Sequence, residues 1–131
     1  LGLPGESRET VLRTIDYLNR LPIQGVKLQL LHVLSDSDLA DLYRAGEYTP
    51  LEKEEYLTLV GDCIAHLRAD IVLHRLTGDG DKNTLLAPLW SLRKRDVLNH
   101  LHRYLRENHI RQGMSCKIDL SVIYNKPKDV L

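Results

Sequence analysis

Two short apolar segments, each ending in a polar stretch, constrain the fold of this chain more than any other feature. The first is GVKLQLLHVL (residues 25–34), and the second is DIVLHRLTGDG (residues 70–80), which turns polar from His74 onward. Apolar runs of this length, rich in Val, Ile and Leu, are typical of strands that are buried on both faces in a parallel sheet. The sequence therefore predicts two buried strands, each with a polar exit.

Segments with a helical pattern lie before, between and after these strands. Ser7 is an N-cap candidate, and Val11, Ile15 and Leu18 follow it at helical spacing. Three more helices are predicted in SDSDLADLYRAG (residues 35–46), from the capping box TPLE (residues 49–52) onward, and after Ser91. This alternation predicts an α/β fold with parallel strands and right-handed crossovers.

The first residues predict that the chain is part of a larger domain. LGLPGE (residues 1–6) has the pattern of a strand end that turns into a helix, and the chain starts at Leu1 without a methionine. Two full strands are few for a parallel sheet, because its strands need cover on both faces. We therefore expect the C-terminal part of a larger barrel or doubly wound domain, and an engineered or processed start is the alternative.

Composition and charge give no support for a nucleic-acid partner, a membrane protein or a metal protein. Lys and Arg number 18 and Asp and Glu number 18, so net charge gives no argument for nucleic acid or an anionic membrane as partner. No apolar run approaches the roughly 20 residues that a membrane span needs. Cys63 and Cys116 lie far apart and form no metal-ligand pair. This usage predicts a cytoplasmic protein with reduced cysteines and no metal site in this chain, and one disulfide stays open.

Polar residues follow each predicted strand at its carboxyl end, which is where βα folds bind ligands. The three stretches are GLPGE (residues 2–6), HVLSDSD (residues 32–38) and HRLTGDG (residues 74–80). Glycines allow a close approach of the backbone to a ligand, and Arg75 and Asp79 supply charge. The alternative is that the last two glycines only form a turn, which Asp79 caps, while Arg75 meets a core carboxylate.

A basic cluster begins the last helix. Arg93, Lys94 and Arg95 are followed by Arg103 and other arginines, in a pattern that suits phosphate contacts. Acidic residues interrupt the cluster, so a solvated helix face is the competing interpretation.

Five stretches, taken together, resemble one family. They are LGLPGES, LPIQGVKLQLLHVL, LADLYRAGEYTPLEKEEYLTLV, IVLHRLTGDG and LLAPLWSLRKRDVLNHLHRYL. In this order, over residues 1–113, they are similar to the C-terminal part of the YhcC/YtqA-like radical SAM proteins, bacterial relatives of the elongator-type radical SAM group. HRLTGDG with APLWSL is the most specific part. The tail, residues 114–131, matches no stretch of the family and is predicted to be weakly structured or to form one short strand.

The resemblance implies a fold and two cofactors. The fold is the C-terminal part of a partial TIM-type (β/α) barrel with parallel strands. The cofactors of the full-length parent are S-adenosylmethionine (SAM) and a 4Fe–4S cluster, which three cysteines of a CxxxCxxC loop hold. That loop follows the first strand of the barrel and precedes everything in this chain. The chain alone is therefore expected to hold neither cofactor and to be inactive.

The resemblance also assigns candidate site residues. Those that match the cofactor-binding turn of the family are Gly2, Pro4, Gly5 and Glu6. Glu6 has an alternative role, in which it only starts the following helix. The candidates on the substrate side are Lys27, Gln29, His32, Arg75 and Asp79, among which His32 has the opposite parity to Lys27 and Gln29.

Three functions remain open on the sequence. The first is a fragment of a radical SAM enzyme, in which reductive cleavage of SAM starts radical chemistry on an unknown substrate. The second is a non-catalytic half-barrel module that binds RNA or protein, and elongator-type relatives act on tRNA. The third is a purely structural half-barrel. The expected partners are the rest of the barrel, a second copy through self-association, and RNA, with no membrane contact.

Overall fold

The computed structural model describes residues 1–124, which form an α/β fold. The strands are β1 Gly25–Lys27, β2 Val33–Leu34, β3 Val72–Arg75 and β4 Leu85–Ala87. The helices are α1 Arg8–Asn19, α2 Asp38–Arg44, α3 Lys53–His66, α4 Lys94–Glu107 and α5 Ser121–Tyr124, with a 3₁₀ helix at Leu89–Leu92. None of the helices in this part of the chain is long and apolar enough to cross a membrane.

β1 and β3 pair in parallel, as the sequence predicts, with Gly25 opposite Val72. The first residue extends this ladder on the other side of β1. The amino group of Leu1 donates to the carbonyl of Gln29 at 2.7 Å, and the amide of Leu31 donates to the carbonyl of Leu1 at 2.9 Å. This pattern is that of a parallel neighbour, so three chain segments lie side by side in the order Leu1, β1, β3.

The predicted strand over residues 25–34 is divided into β1 and β2, and β2 pairs with β4 in antiparallel orientation. Val33 lies opposite Ala87, and the amide of Ser35 donates to the carbonyl of Thr84 at 2.8 Å. The expectation of parallel strands is therefore correct for β1 and β3 and wrong for β2 and β4. Beyond the parallel pair, the chain after β1 forms β2 and the chain after β3 forms β4, and these two strands run in opposite directions. Their pairing joins residues about 50 positions apart, so the local sequence pattern does not predict it.

One face of the parallel pair is covered by α1, α3 and α4. Val11 and Ile15, predicted for the first helix, are buried there, and so are Leu28 and Leu30 after β1, whereas the predicted Leu18 is half-buried. The fully or nearly fully buried residues of this core are Val11, Ile15, Leu28, Leu30, Tyr56, Leu57, Val60, Cys63, Ile64, Leu67, Ile71, Val97 and Leu101. Alternation along residues 27–30 therefore places Lys27 and Gln29 on the opposite, exposed face.

A buried polar cluster fixes the amino ends of the strands. Arg68 is only 2% exposed, and its guanidinium donates to the backbone carbonyls of Asn19, Leu21 and Ile23 and to the carboxylate of Asp70. The Asn19 side chain accepts from the Arg68 amide at 2.8 Å and donates to the His66 carbonyl at 2.8 Å. These bonds join the end of α1 to the connection between α3 and β3.

The described part of the tail, residues 114–124, contains the short helix α5 and no strand. Its last residue contacts the polar cluster, since the Tyr124 hydroxyl donates to Asp70 at 2.6 Å and the ring lies 5.8 Å from the Arg68 guanidinium carbon. The rest of the predicted tail lies outside the described residues, and the division at Gly113 stays a prediction.

Candidate functional site

The carboxyl ends of three parallel segments meet at one edge of the sheet. Leu1 runs beside Leu30, and Leu28 donates from its amide to the Arg75 carbonyl at 2.9 Å, so all three segments leave the ladder together. As a result, the GLPGE turn, the segment from His32 to Ser35 and the TGDG segment (residues 77–80) form one rim. This is the arrangement that the sequence predicts from the polar exit of each strand.

The GLPGE turn is held by two side chains. Gly2 and Gly5 adopt φ angles of 96° and 73°, which favour glycine. The Glu6 carboxylate accepts from the Gly2 amide at 2.8 Å, and the Tyr48 hydroxyl donates to the Gly2 carbonyl at 2.6 Å. Glu6 therefore closes the turn, while Ser7 is the N-cap of α1. No sequence pattern pointed to Tyr48, because its contact with the turn spans 46 positions.

The sheet face opposite the helices is polar and exposed. Lys27 and Gln29 lie on it, together with Val72, which is 54% exposed, and His74. The His74 ring lies over Gly25, where a Cβ atom would come within 2.6 Å of its Cδ2 atom. Within residues 1–124, no element covers this face.

An irregularity in β3 places charge at the rim. Val26 lies opposite Leu73 but Lys27 lies opposite Arg75, so His74 is an extra residue in β3. Because residues opposite each other share a sheet face, the bulge puts Arg75 beside Lys27. The sequence does not reveal this register shift, because one extra residue leaves the strand as rich in strand-forming residues as before.

Asp79 forms ion pairs with Arg75 and with Lys94, the first residue of α4. Arg75 Nη2 lies 3.6 Å from Asp79 Oδ2, and Lys94 Nζ contacts Asp79 Oδ1. The Arg75 and Asp79 side chains are 39% and 53% exposed, so the carboxylate that Arg75 meets is at the surface rather than in the core. Exposed pairs of this kind contribute about 0–1 kcal/mol to stability, so they leave these groups available to a ligand.

His32 begins the second rim segment, and its ring lies against the third. Its ring packs against Gly78, where a Cβ atom would come within 3.2 Å of Nδ1, and against Gly80, where a Cβ atom would come within 3.6 Å of Cδ2. Its Nε2 atom is buried and has no hydrogen-bond partner among the described residues. Burial of the ring lowers the pKa of His32, so the neutral imidazole is favoured.

A groove with a cavity volume of about 420 Å³ lies on the helix side of the GLPGE turn, between α1 and α3. Gly2 and Glu6 line this groove, whereas Pro4 and Gly5 are exposed. No atom lies within 4 Å of the position that a Cβ atom of Gly5 would take. The four candidate cofactor residues therefore divide between the groove and the open tip of the turn.

The cysteines do not form a metal site. Cys63 is buried within α3, and burial raises the pKa of its thiol to about 12, so it is not a thiolate at neutral pH. Cys116 lies elsewhere, with its Sγ atom 3.6 Å from the Asn19 amide nitrogen. Among residues 1–124, no three His, Cys, Asp or Glu side chains are grouped to hold a metal ion.

Comparison with known proteins identifies one family. Residues 23–107 match the family described as Radical_SAM C-terminal domain. The chain is 32% identical over 112 residues to the uncharacterized protein YtqA of Bacillus subtilis and 33% identical over 110 residues to protein YhcC of Escherichia coli. These alignments cover 86% and 84% of this chain but 35% and 36% of the relatives, so the chain spans about a third of their length.

An archaeal relative and a solved structure extend the comparison. The uncharacterized protein MJ0486 of Methanocaldococcus jannaschii is 32% identical over 114 residues, which are 86% of this chain and 35% of that protein. The fold is similar to part of Methanocaldococcus infernus Elp3, with a TM-score of 0.66 at 15% identity, over 85% of this chain and 26% of Elp3.

Proposed function

The chain belongs to the radical SAM C-terminal domain family, and from this premise we propose that it supplies one wall of a SAM site in a larger radical SAM enzyme. The full-length protein would form the partial TIM-type barrel, to which this chain contributes the C-terminal strands. When bound, the 4Fe–4S cluster of such an enzyme supplies one electron that breaks a C–S bond of SAM and produces methionine and a 5′-deoxyadenosyl radical.

The observation that carries the proposal is the common rim formed by the three parallel segments, next to an exposed polar sheet face. Parallel sheets are almost always covered on both faces, so Lys27, Gln29 and Val72 are expected to face another part of the same protein or a ligand. Val72 is apolar, but the polarity of Lys27, Gln29 and the neighbouring His74 favours a ligand-filled space over a packed apolar core. The missing cover is the rest of the barrel, which we propose as the first partner of this chain.

The residues present fit SAM better than they fit the cluster. The unpartnered Nε2 atom of His32 and the open approach to Gly5 lie at the rim, where a polar ligand would bind. The cluster needs three thiolates, and the sequence contains only Cys63 and Cys116. The cluster ligands would therefore come from the part of the protein that this chain does not contain.

The rim residues would divide the work of binding. The GLPGE turn would place backbone groups beside SAM, because Gly5 leaves room for close approach, while Glu6 keeps the turn closed. On the exposed face, Lys27, Gln29 and Arg75 would contact the substrate. Asp79 would hold the Arg75 guanidinium in place through one carboxylate oxygen, while Lys94 contacts the other oxygen.

The test uses the full-length protein that contains this chain, reconstituted anaerobically with iron and sulfide. We expect dithionite and SAM to yield 5′-deoxyadenosine, measured by liquid chromatography and mass spectrometry. A Gln29→Leu variant should form less 5′-deoxyadenosine. The matched control is Gln24→Leu, which replaces an exposed glutamine just before β1, at the opposite end of the strand. A reconstituted protein that forms no 5′-deoxyadenosine contradicts the proposal.

A second candidate function, RNA binding, is favoured by the outer face of α4. Residues at helical spacing i, i+4, i+7, i+8 and i+11 form one exposed stripe, and they are Arg95, Asn99, His102, Arg103 and Arg106. Within residues 1–124, these three arginines form no ion pair. Of the two acidic residues in α4, Asp96 is bound to Lys53 at 2.9 Å, and Glu107 is exposed in the last turn beside Arg106. A stripe of like charges weakens a helix slightly, and an anionic partner would relieve this repulsion.

RNA binding is tested with a labelled single-stranded RNA and the double variant Arg103→Gln with Arg106→Gln. We expect the slope of log K against log[salt] to become shallower by about 1.4. The double variant loses two phosphate contacts, and each contributes about 0.7 to the slope for single strands. Arg13→Gln with Arg20→Gln, which removes two exposed arginines near α1, is the matched control. Equal changes in both double variants would contradict a role of α4.

A further inference from the structure

The groove between α1 and α3 has an open apolar floor. Val11 of α1 is buried at its base, and Leu51 and Leu59 are half-buried on the side of α3. The groove has a volume of about 420 Å³ and follows α3 from Glu54 to Asp62, which is about 12 Å of helix. The described part of the chain leaves this volume unfilled, so apolar surface stays open to solvent.

The edge of this groove is acidic. Its charged lining residues are four carboxylates and one guanidinium, namely Glu6, Glu54, Glu55, Asp62 and Arg8. Arg8 pairs with Asp62 at 2.5 Å, and among residues 1–124 no cation lies within ion-pair distance of the three glutamates. The Glu6 and Glu55 carboxylates accept from backbone amides, which leaves their negative charge in place. Three uncompensated carboxylates therefore border an apolar floor.

Helix stability accounts for only part of this arrangement. Glu54 and Glu55 lie in the first turn of α3, where negative charge interacts favourably with the helix dipole. That role needs no open apolar surface, yet Leu51 and Leu59 lie beside these acids and keep part of their area in water. A partner that covers the two leucines would gain the free energy of apolar burial, and positive charge on that partner would compensate the carboxylates.

The position of the groove indicates that the missing part of the barrel does not cover it. In a βα barrel the helices form the outer ring. Here α3 packs against α1 on one side and α4 on the other, so it lies in the middle of the three. The missing helices would continue the ring beyond α1 and α4, which leaves the groove between α1 and α3 open.

A second copy of this chain is a poor match for the groove. Its basic stripe, on the outer face of α4, contains only polar and charged residues, while Val97 and Leu101 of the same helix are buried in the core. The stripe could meet the acidic edge but could not fill the apolar floor. The occupant must instead carry apolar and basic residues on one accessible element.

We infer that the groove is a docking site for a basic amphipathic helix of a partner protein. Apolar residues of that helix, at spacing i, i+4 and i+7, would fill the floor between α1 and α3. Its Lys and Arg residues would lie beside Glu6, Glu54 and Glu55. The inference does not depend on SAM binding, because the groove lies on the helix side of the sheet, away from the exposed polar face.

The experiment uses the full-length protein that contains this chain and three labelled synthetic peptides of about 14 residues, which as helices span about 21 Å. The first is an amphipathic helix of Leu and Lys. The second replaces each Leu with Ser, and the third replaces each Lys with Glu. We expect saturable binding of one Leu/Lys peptide per protein in fluorescence anisotropy, and much weaker binding of the other two peptides, because the groove requires both apolar and positive groups.

Two charge reversals locate the binding. Glu54→Lys should weaken binding of the Leu/Lys peptide about tenfold, and Glu54→Gln, which only removes the charge, about threefold. The matched control is Glu107→Lys, which makes the same change at an exposed position in the last turn of α4 and should alter the affinity less than twofold. Circular dichroism melts of each variant check that the fold is retained.

Several outcomes would overturn the inference. Failure of the Leu/Lys peptide to bind would show that the groove is closed by another part of the full-length protein or has no affinity for such a helix. Equal losses in Glu54→Lys and Glu107→Lys would reveal non-specific attraction between charges. Self-association of the wild-type protein in analytical ultracentrifugation that Glu54→Lys abolishes would assign the groove to a second copy.

Discussion

Replacing Arg68 with methionine tests the role of the buried polar cluster in stability. The guanidinium donates to three backbone carbonyls at 2.7, 3.2 and 3.1 Å and to Asp70 at 2.6 Å, and the residue is 2% exposed. Methionine fills a similar volume but donates no hydrogen bond, so these acceptors lose their partner. Removing one member of a buried charged network costs about 3–5 kcal/mol. We expect a loss of unfolding free energy in this range.

The loss is measured by urea unfolding of the 131-residue chain, followed by circular dichroism and by the fluorescence of Trp90. Arg68→Lys should fall between the wild type and Arg68→Met, because it keeps the charge but not the fork of donors. The control is Arg13→Met on the exposed face of α1, which should change the unfolding free energy by less than about 0.5 kcal/mol. A loss below about 1 kcal/mol for Arg68→Met would refute the reasoning, because the carbonyls would then have other partners.

Three more predictions follow from the rim and the polar cluster. Asp79→Asn should shift the unfolding free energy by less than about 0.5 kcal/mol, because its ion pairs are exposed; a larger loss in urea unfolding would mark it as a structural cap. Gly2→Ala should destabilise the chain by about 1–2 kcal/mol in the same assay, because φ is 96° and Leu51 lies 3.2 Å from the new Cβ; an unchanged midpoint would contradict this. Burial acts to raise the pKa of Asp70, but bonds from Tyr124 and Arg68 lower it overall, so ionised Asp70 stabilises the fold above the unfolded pKa. The stability difference between wild type and Asp70→Asn should therefore shrink as the pH falls below about 4 in a pH series of melts, and a constant difference would argue against these bonds.

Local patterns predicted much of the fold correctly. Ser7 is the N-cap of α1 with a capping box, and Val11 and Ile15 are buried in that helix. The predicted start of α3 at Thr49 is wrong, because Glu52 is the N-cap and forms its capping box with Glu55, three residues farther on. Thr49 satisfies the sequence rule for an N-cap and Glu52 does not, so the position of the helix start could not be predicted from residue type and spacing.

Contacts between distant residues were beyond prediction from the sequence. The common rim follows from the βα order, but the antiparallel pairing of β2 with β4 and the bond from Tyr48 to Gly2 do not. Side chains alternate between the two faces of a strand, and this alternation predicted that Lys27 and His32 lie on different faces. In the structure, Lys27 lies on the exposed face and His32 does not. His32 is instead half-buried against Gly78 and Gly80, and its Nε2 atom has no hydrogen-bond partner among the described residues.

Hydrogen exchange of the full-length protein, with and without SAM, tests the central claim most directly. If the three strand ends form one wall of the SAM site, SAM should slow exchange at residues 1–6, 29–35 and 75–80 together, because they share one rim. The outer face of α4, residues 95–106, should not respond. Protection confined to α4, or an absence of protection at all three strand ends while SAM is bound, would contradict the account.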